Sequence, residues 1–86
     1  MNNNNMELDS KLVGKVISKF RKSKGISQEI ISGLAGIGRT HLSAIERGER
    51  KPTLETLYRL SMALDVKMSV IVIELEKELE KSEKNR

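Results

Sequence analysis

Residues 27–66 read SQEIISGLAGIGRTHLSAIERGERKPTLETLYRLSMALDV. A helical pattern opening at Gln28 ends at Ala35, breaks at Gly36, Ile37 and Gly38, and restarts with Arg39, Thr40 and His41 in its first turn. Gly36 can take the left-handed conformation that closes a helix, and Ile37 is placed to plug the angle between the two helices. Two helices crossing steeply over a tight glycine-bearing turn form a helix-turn-helix. When the second opens on polar and basic side chains, the arrangement presents base-reading groups to DNA.

The flanks extend the pattern to five helices and an all-α fold. Helix 1 is expected from Asp9 or Ser10, either of which can cap it, to Lys24. Its apolar rows are Leu12, Val16 and Phe20, with Val13 and Ile17 beside them. Gly25 ends that helix and Ser27 caps the next, whose buried side is expected to be Ile30, Ile31, Leu34 and Ala35. In helix 3, Leu42 and Ile45 face the core and Gly48 closes the helix. Thr53 caps helix 4, where Leu54, Leu57, Leu60 and Leu64 recur at helical spacing with Met62 and Ala63 adding apolar bulk.

The β-branched run Met68 to Ile73 could be a strand, but Glu74 to Lys84 is strong helix-former sequence. Its Glu74/Lys77 and Glu80/Lys84 spacings suit i,i+3 and i,i+4 pairs. One helix from about Ser69 fits both parts. Ile71, Leu75 and Leu79 then form one stripe with Val70 and Ile73 beside it, so the first two turns are apolar nearly all round. One face can cover the chain's own core, and the remainder needs another chain. Val70, Ile71, Ile73 and Leu75 are therefore the expected interface of a homodimer. The expected organisation is a disordered arm over residues 1–8, the helix-turn-helix domain over 9–67, and a C-terminal helix over 68–86 that completes the domain and pairs with its copy.

Composition bounds the function. The 86 residues suit one small domain, and cysteine is absent, which excludes disulfides and thiolate metal sites. No apolar run approaches the ~20 residues of a membrane span, and Met1 to Met6 is too polar for a signal peptide. The expected location is the cytoplasm, with no membrane partner. Residues 67–86 hold five basic and five acidic side chains, so the whole net charge of +4 lies in residues 1–66. A basic domain followed by a neutral segment suits a nucleic-acid partner.

Arg39 can reach guanine O6 and N7 with two parallel hydrogen bonds. Thr40 can meet a thymine methyl or a phosphate, and His41 a base edge or the backbone. As the single histidine, His41 excludes a histidine dyad or multi-histidine metal site within one chain. Gln28, in the first turn of helix 2, can join that helix's free N–H groups on a phosphate oxygen. Ser43, Arg47, Arg50 and Lys51 are further phosphate candidates, which fix register and salt-sensitive affinity. Glu46, an acid near a DNA-facing helix, is expected to pair with Arg21 of helix 1. Read as a surface pair worth ~0–1 kcal/mol, it would act as a positioning device, so that Glu46→Gln lowers affinity more than melting temperature.

These residues resemble the phage-repressor-like (Xre-type) helix-turn-helix family over about forty positions. The resemblance rests on Ser27-Gln28-Glu29, Gly36-Ile37, Leu42 to Gly48, Pro52 to Leu57 and Ala63 to Val66. It implies a compact five-helix, lambda-repressor-like domain whose third helix enters the major groove as a two-fold dimer. It places Gln28, Arg39, Thr40, His41 and Ala44 at DNA-facing positions, and Arg21 and Glu46 at the inter-helix ion pair. Within the family, the short chain and apolar fifth helix look most like restriction–modification controller proteins. Ser32, Gly33 and Gly38 depart from the commoner pattern, Gly33 weakening helix 2 by ~0.5–1 kcal/mol relative to Ala.

The expectation is thus a sequence-specific transcriptional regulator, with double-stranded DNA as partner and no cofactor, metal or small-molecule effector. An antitoxin that uses residues 67–86 on a toxin is the alternative, and a protein-interaction module without DNA contact is a third. No catalytic set, metal-ligand cluster or phosphate loop points to an enzyme.

Overall fold

The computed structural model describes residues 6–84, so residues 1–5 of the expected arm lie outside it. Five helices follow one another: α1 (Ser10–Ser23), α2 (Gln28–Ala35), α3 (Arg39–Glu46), α4 (Leu54–Leu64) and α5 (Met68–Lys84). Among the described residues there is no strand, and the run from Val70 to Ile73 is helical.

The helix starts have local causes. The Asp9 carboxylate accepts the N–H groups of Lys11 and Leu12 at 2.9 and 3.4 Å. Ser27 Oγ accepts from Ile30 at 3.2 Å, and Thr53 Oγ1 from Thr56 at 3.0 Å. Caps of this kind contribute about 1 kcal/mol each. α3 starts at Gly38 with no side-chain cap. Between α2 and α3, Gly36 sits at φ +71°, where a side chain would be strained, and Ile37 donates its N–H to the Ser32 carbonyl at 3.0 Å. Ile37 then packs on the core as the plug of the turn.

That core joins Val13, Val16 and Ile17 of α1 to Ile31 and Ala35 of α2, Leu42 and Ile45 of α3, Leu60 and Leu64 of α4, and Ile71 of α5. Three expectations are corrected here. Ile30 and Leu34 of α2 are exposed, because that helix turns Ile31, Ser32 and Ala35 inward. Leu54 and Met62 of α4 are exposed together with Tyr58, while Thr56, Leu60, Ser61 and Leu64 face in. Both helices carry more apolar residues than one buried stripe can hold, so four-residue spacing alone did not identify the inward row. Ile71 is only 2% exposed. It fills the chain's own core and is unavailable to a second copy. Leu75 is half-buried, and Val70, Val72 and Ile73 form the exposed apolar part of α5.

α5 lies along α1 with its acids toward the lysines of α1. Glu74 meets Lys19 at 2.9 Å and Glu78 meets Lys15 at 3.5 Å. Glu74 thus bonds across the fold instead of to Lys77 along its own helix. α1 also crosses α3 closely at Gly14, which is buried. A Cβ on Gly14 would sit 2.3 Å from the Ile45 carbonyl oxygen and 2.6 Å from that of Glu46. The absence of a side chain there sets how near the end of α3 approaches α1. No helix among the described residues is long and apolar enough to cross a membrane.

Candidate nucleic-acid interface

α3 is short, eight residues, and its inward side is fixed by fully buried Leu42 and Ile45. At 100° per residue this leaves Arg39, Ser43 and Arg47 as one outward row with Thr40 beside it. The four line a single shallow cleft. Arg39 and Thr40 are exposed, and among the described residues Arg39 pairs with no carboxylate. Its guanidinium is free to form two parallel hydrogen bonds to a base edge or a phosphate. His41 is half-buried and lies off this row. Arg50 and Lys51 are exposed in the loop after α3, where Lys51 neighbours Leu8 and Gly48 and does not line the cleft.

Ala44 is 9% exposed, on the flank between the outward row and Ile45, and its methyl is covered by packing. Only a small part of the methyl is left open beside Thr40.

Behind the outward face, three helices meet in one polar network. Arg21 Nε and Nη2 donate to the two carboxylate oxygens of Glu46 at 2.7 and 2.9 Å. Arg21 Nη1 donates to the Ile26 carbonyl at 2.9 Å, and Gln28 Nε2 to Glu46 Oε1 at 2.9 Å. The expected partners are right, but the setting is not a surface. The side chains of Arg21 and Glu46 are 12% and 6% exposed. Burial pushes the Glu46 carboxyl up. Hydrogen bonds from Arg21 and Gln28, with the attraction of Arg21 and Lys22, outweigh it and hold the group below the usual carboxylate range. Gln28 keeps one amide N–H and its oxygen for a ligand, while the bond to Glu46 fixes which end points inward.

The end of α3 carries a second network that the sequence reading missed. Arg47 donates from Nε and Nη2 to the two carboxylate oxygens of Glu49, each at 2.9 Å, and from Nη1 to Ser43 Oγ. Both partners are about half exposed. The bond to Arg47 holds the Glu49 carboxyl below its ordinary range and raises the arginine. The signal was present in the tight glycine corner at Gly48, which brings residues 47 and 49 together. Among the described residues no cluster of His, Cys, Asp and Glu could hold a metal ion.

Comparison with known proteins gives a consistent set of similarities. The sequence model of the helix-turn-helix family matches residues 17–71. The HTH-type transcriptional regulator y4dJ of Sinorhizobium fredii is 45% identical over 56 residues, 65% of this chain and 73% of that protein. Control protein C.MunI of a Mycoplasma species is 35% identical over 66 residues, 76% of this chain and 89% of its own. A variant of the restriction–modification controller protein C.Esp1396I, solved bound to its highest-affinity operator site, superposes with a TM-score of 0.77. It is 33% identical over 84% of this chain and 95% of that one.

Proposed function

The chain belongs to the helix-turn-helix family, and from that premise we propose that it is a DNA-binding transcriptional regulator of the restriction–modification controller type. The observation that carries this reading is the outward row of α3. Arg39 stands at its start with no carboxylate partner among the described residues, and the buried Arg21–Glu46–Gln28 network holds the helix from behind. A reading helix so braced loses little freedom on binding, and its first-turn side chains are the ones that reach base edges. Arg39 and Thr40 are assigned to bases and His41 to a base edge or the backbone beside them. Gln28, Ser43 and Arg47 are assigned to phosphates, with Arg50 and Lys51 on the flanking backbone.

The protein acts in the cytoplasm as a homodimer, pairing through Val70, Ile73, Val72 and the exposed edge of Leu75. Two-fold pairing sets the recognition helices about one DNA turn apart, ~34–36 Å, and calls for a pseudo-palindromic operator. Relatives named as control proteins, and the operator-bound solved structure, support this reading.

The test is fluorescence anisotropy on duplex DNA from upstream of the protein's own gene, with a scrambled duplex and an Arg39→Ala variant across a salt series. The expected preference for the upstream duplex is at least ~10³-fold. Arg39→Ala should lose about 1–3 kcal/mol of it with little change in salt slope. Absence of binding at low salt would discard the DNA reading in favour of a protein partner for α5.

A further inference from the structure

Arg47 is the one basic side chain of the outward row that already has a carboxylate partner among the described residues. Both oxygens of Glu49 grip its guanidinium at 2.9 Å in the same two-pronged geometry that a phosphate would use, and Ser43 Oγ takes the remaining prong. Glu49 lies outside α3 and is held there by the corner at Gly48. We propose that Glu49 sets the strength of DNA binding: it is a built-in counter-ion for Arg47 that phosphate must displace, and it then stands as a like charge beside the backbone.

This deepens the DNA-binding reading and rests on it. The chemistry favours exchange. A carboxylate and a phosphate present the same pair of acceptor oxygens to a planar guanidinium. The Arg47–Glu49 pair is half exposed, so solvent screens it and little holds it closed. Phosphates on a duplex come in rows, and Arg47 shares its cleft with Arg39, Thr40 and Ser43. The displaced Glu49 remains within a few ångströms of the incoming anion, because it is two residues away across the turn. Its repulsion persists in the complex. The acid weakens every duplex encounter through a backbone contact, whatever the sequence, and keeps binding energy concentrated on base-reading Arg39.

The test is a double-mutant cycle with Glu49→Gln, Arg47→Ala and the pair together, each titrated against the upstream and scrambled duplexes across a salt series. Circular dichroism checks that each variant folds, and the exposure of both side chains predicts that all do. Glu49→Gln should bind both duplexes about three- to tenfold more tightly, with a salt slope steeper by up to about 0.9, that of one phosphate contact. In the Arg47→Ala background the same substitution should gain less than about twofold, because its effect runs through Arg47. An unchanged or weaker affinity for Glu49→Gln, beside a wild-type protein that binds, overturns the proposal alone. An equal gain with and without Arg47 overturns it too, by showing general repulsion. Failure of the wild type and all variants to bind duplex at low salt overturns the DNA reading itself.

Discussion

Replacing Gly14 by Ala adds one methyl group at the crossing of α1 and α3, and the structure gives the size of the conflict. The new Cβ would stand 2.3 Å from the Ile45 carbonyl oxygen, 2.6 Å from the Glu46 oxygen and 2.9 Å from the Glu46 carbonyl carbon, where ordinary contact begins at 3.4 Å. The opposing atoms are all backbone, so no side chain can swing away, and the helices must separate by about 1 Å. Overpacking of this kind costs about 1–3 kcal/mol, and rigid neighbours place this site near the upper end. Ala is intrinsically better than Gly in a helix by ~1 kcal/mol, which leaves a net loss of about 2 kcal/mol. For a domain of this size that lowers Tm by roughly 8–16 °C. Gly33→Ala is the matched control, because its Cβ would meet nothing within 4 Å. The same propensity term should there raise Tm by about 2–8 °C. Thermal unfolding by circular dichroism reads both variants, and the expected result is two shifts of opposite sign. If Gly14→Ala melts at or above the parent temperature, the close crossing does not set the position of α3 and the reasoning fails.

Four further outcomes follow from the buried network and from α5. Glu46→Gln leaves the Arg21 guanidinium uncompensated in a nearly closed site, so urea unfolding should show a loss of about 3 kcal/mol or more. A loss under about 1 kcal/mol would return the pair to the surface class. Because Glu46 titrates lower in the folded chain than in the unfolded one, its contribution is present above the unfolded carboxylate value and is lost as pH falls through the folded one. The stability gap between wild type and Glu46→Gln should therefore narrow on acidification, and a constant gap would contradict the assigned direction. Ile71→Ala should cost about 2–4 kcal/mol through core loss. Ile73→Asp should leave the helical signal intact and shift sedimentation from dimer to monomer, and a dimer that survives it would move the interface off this face.

Much of the fold was legible because its cues are local. Ser27 and Thr53 are caps, Gly36 is a left-handed stop, and Ile37 follows it as the plug, all within a few residues of what they control. The ion pair of Arg21 and Glu46 was likewise readable from type and spacing, as was the exposure of Arg39 and Thr40, whereas the row that joins them to Ser43 and Arg47 and leaves His41 aside was not. What failed was non-local. Ile30, Leu34, Leu54 and Met62 look inward by period, yet which arc of a broadly apolar helix is covered depends on its neighbours. Ile71 was assigned to a second copy because the depth to which α5 sinks between α1 and α4 has no sequence signature. Gly14 gave no signal, since its contribution is a missing methyl group. The burial of Glu46 depends on three helices meeting, so its energetic class could not be told from the residue alone.

The pairing of α5 with α1 has an electrical consequence. Glu74 and Glu78 of α5 neutralise Lys19 and Lys15 of α1. Arg39, Arg50 and Lys51 keep no carboxylate partner among the described residues. The two lysines of α1 that meet α5 are thus neutralised, while the cations at the start of α3 and in the loop after it keep their charge. The field of a polyanion therefore pulls on Arg39, Arg50 and Lys51 at full strength and on the paired lysines less. Helix α5 thereby lowers the pull on the face of α1 that it covers, at a distance in sequence from the residues assigned to DNA.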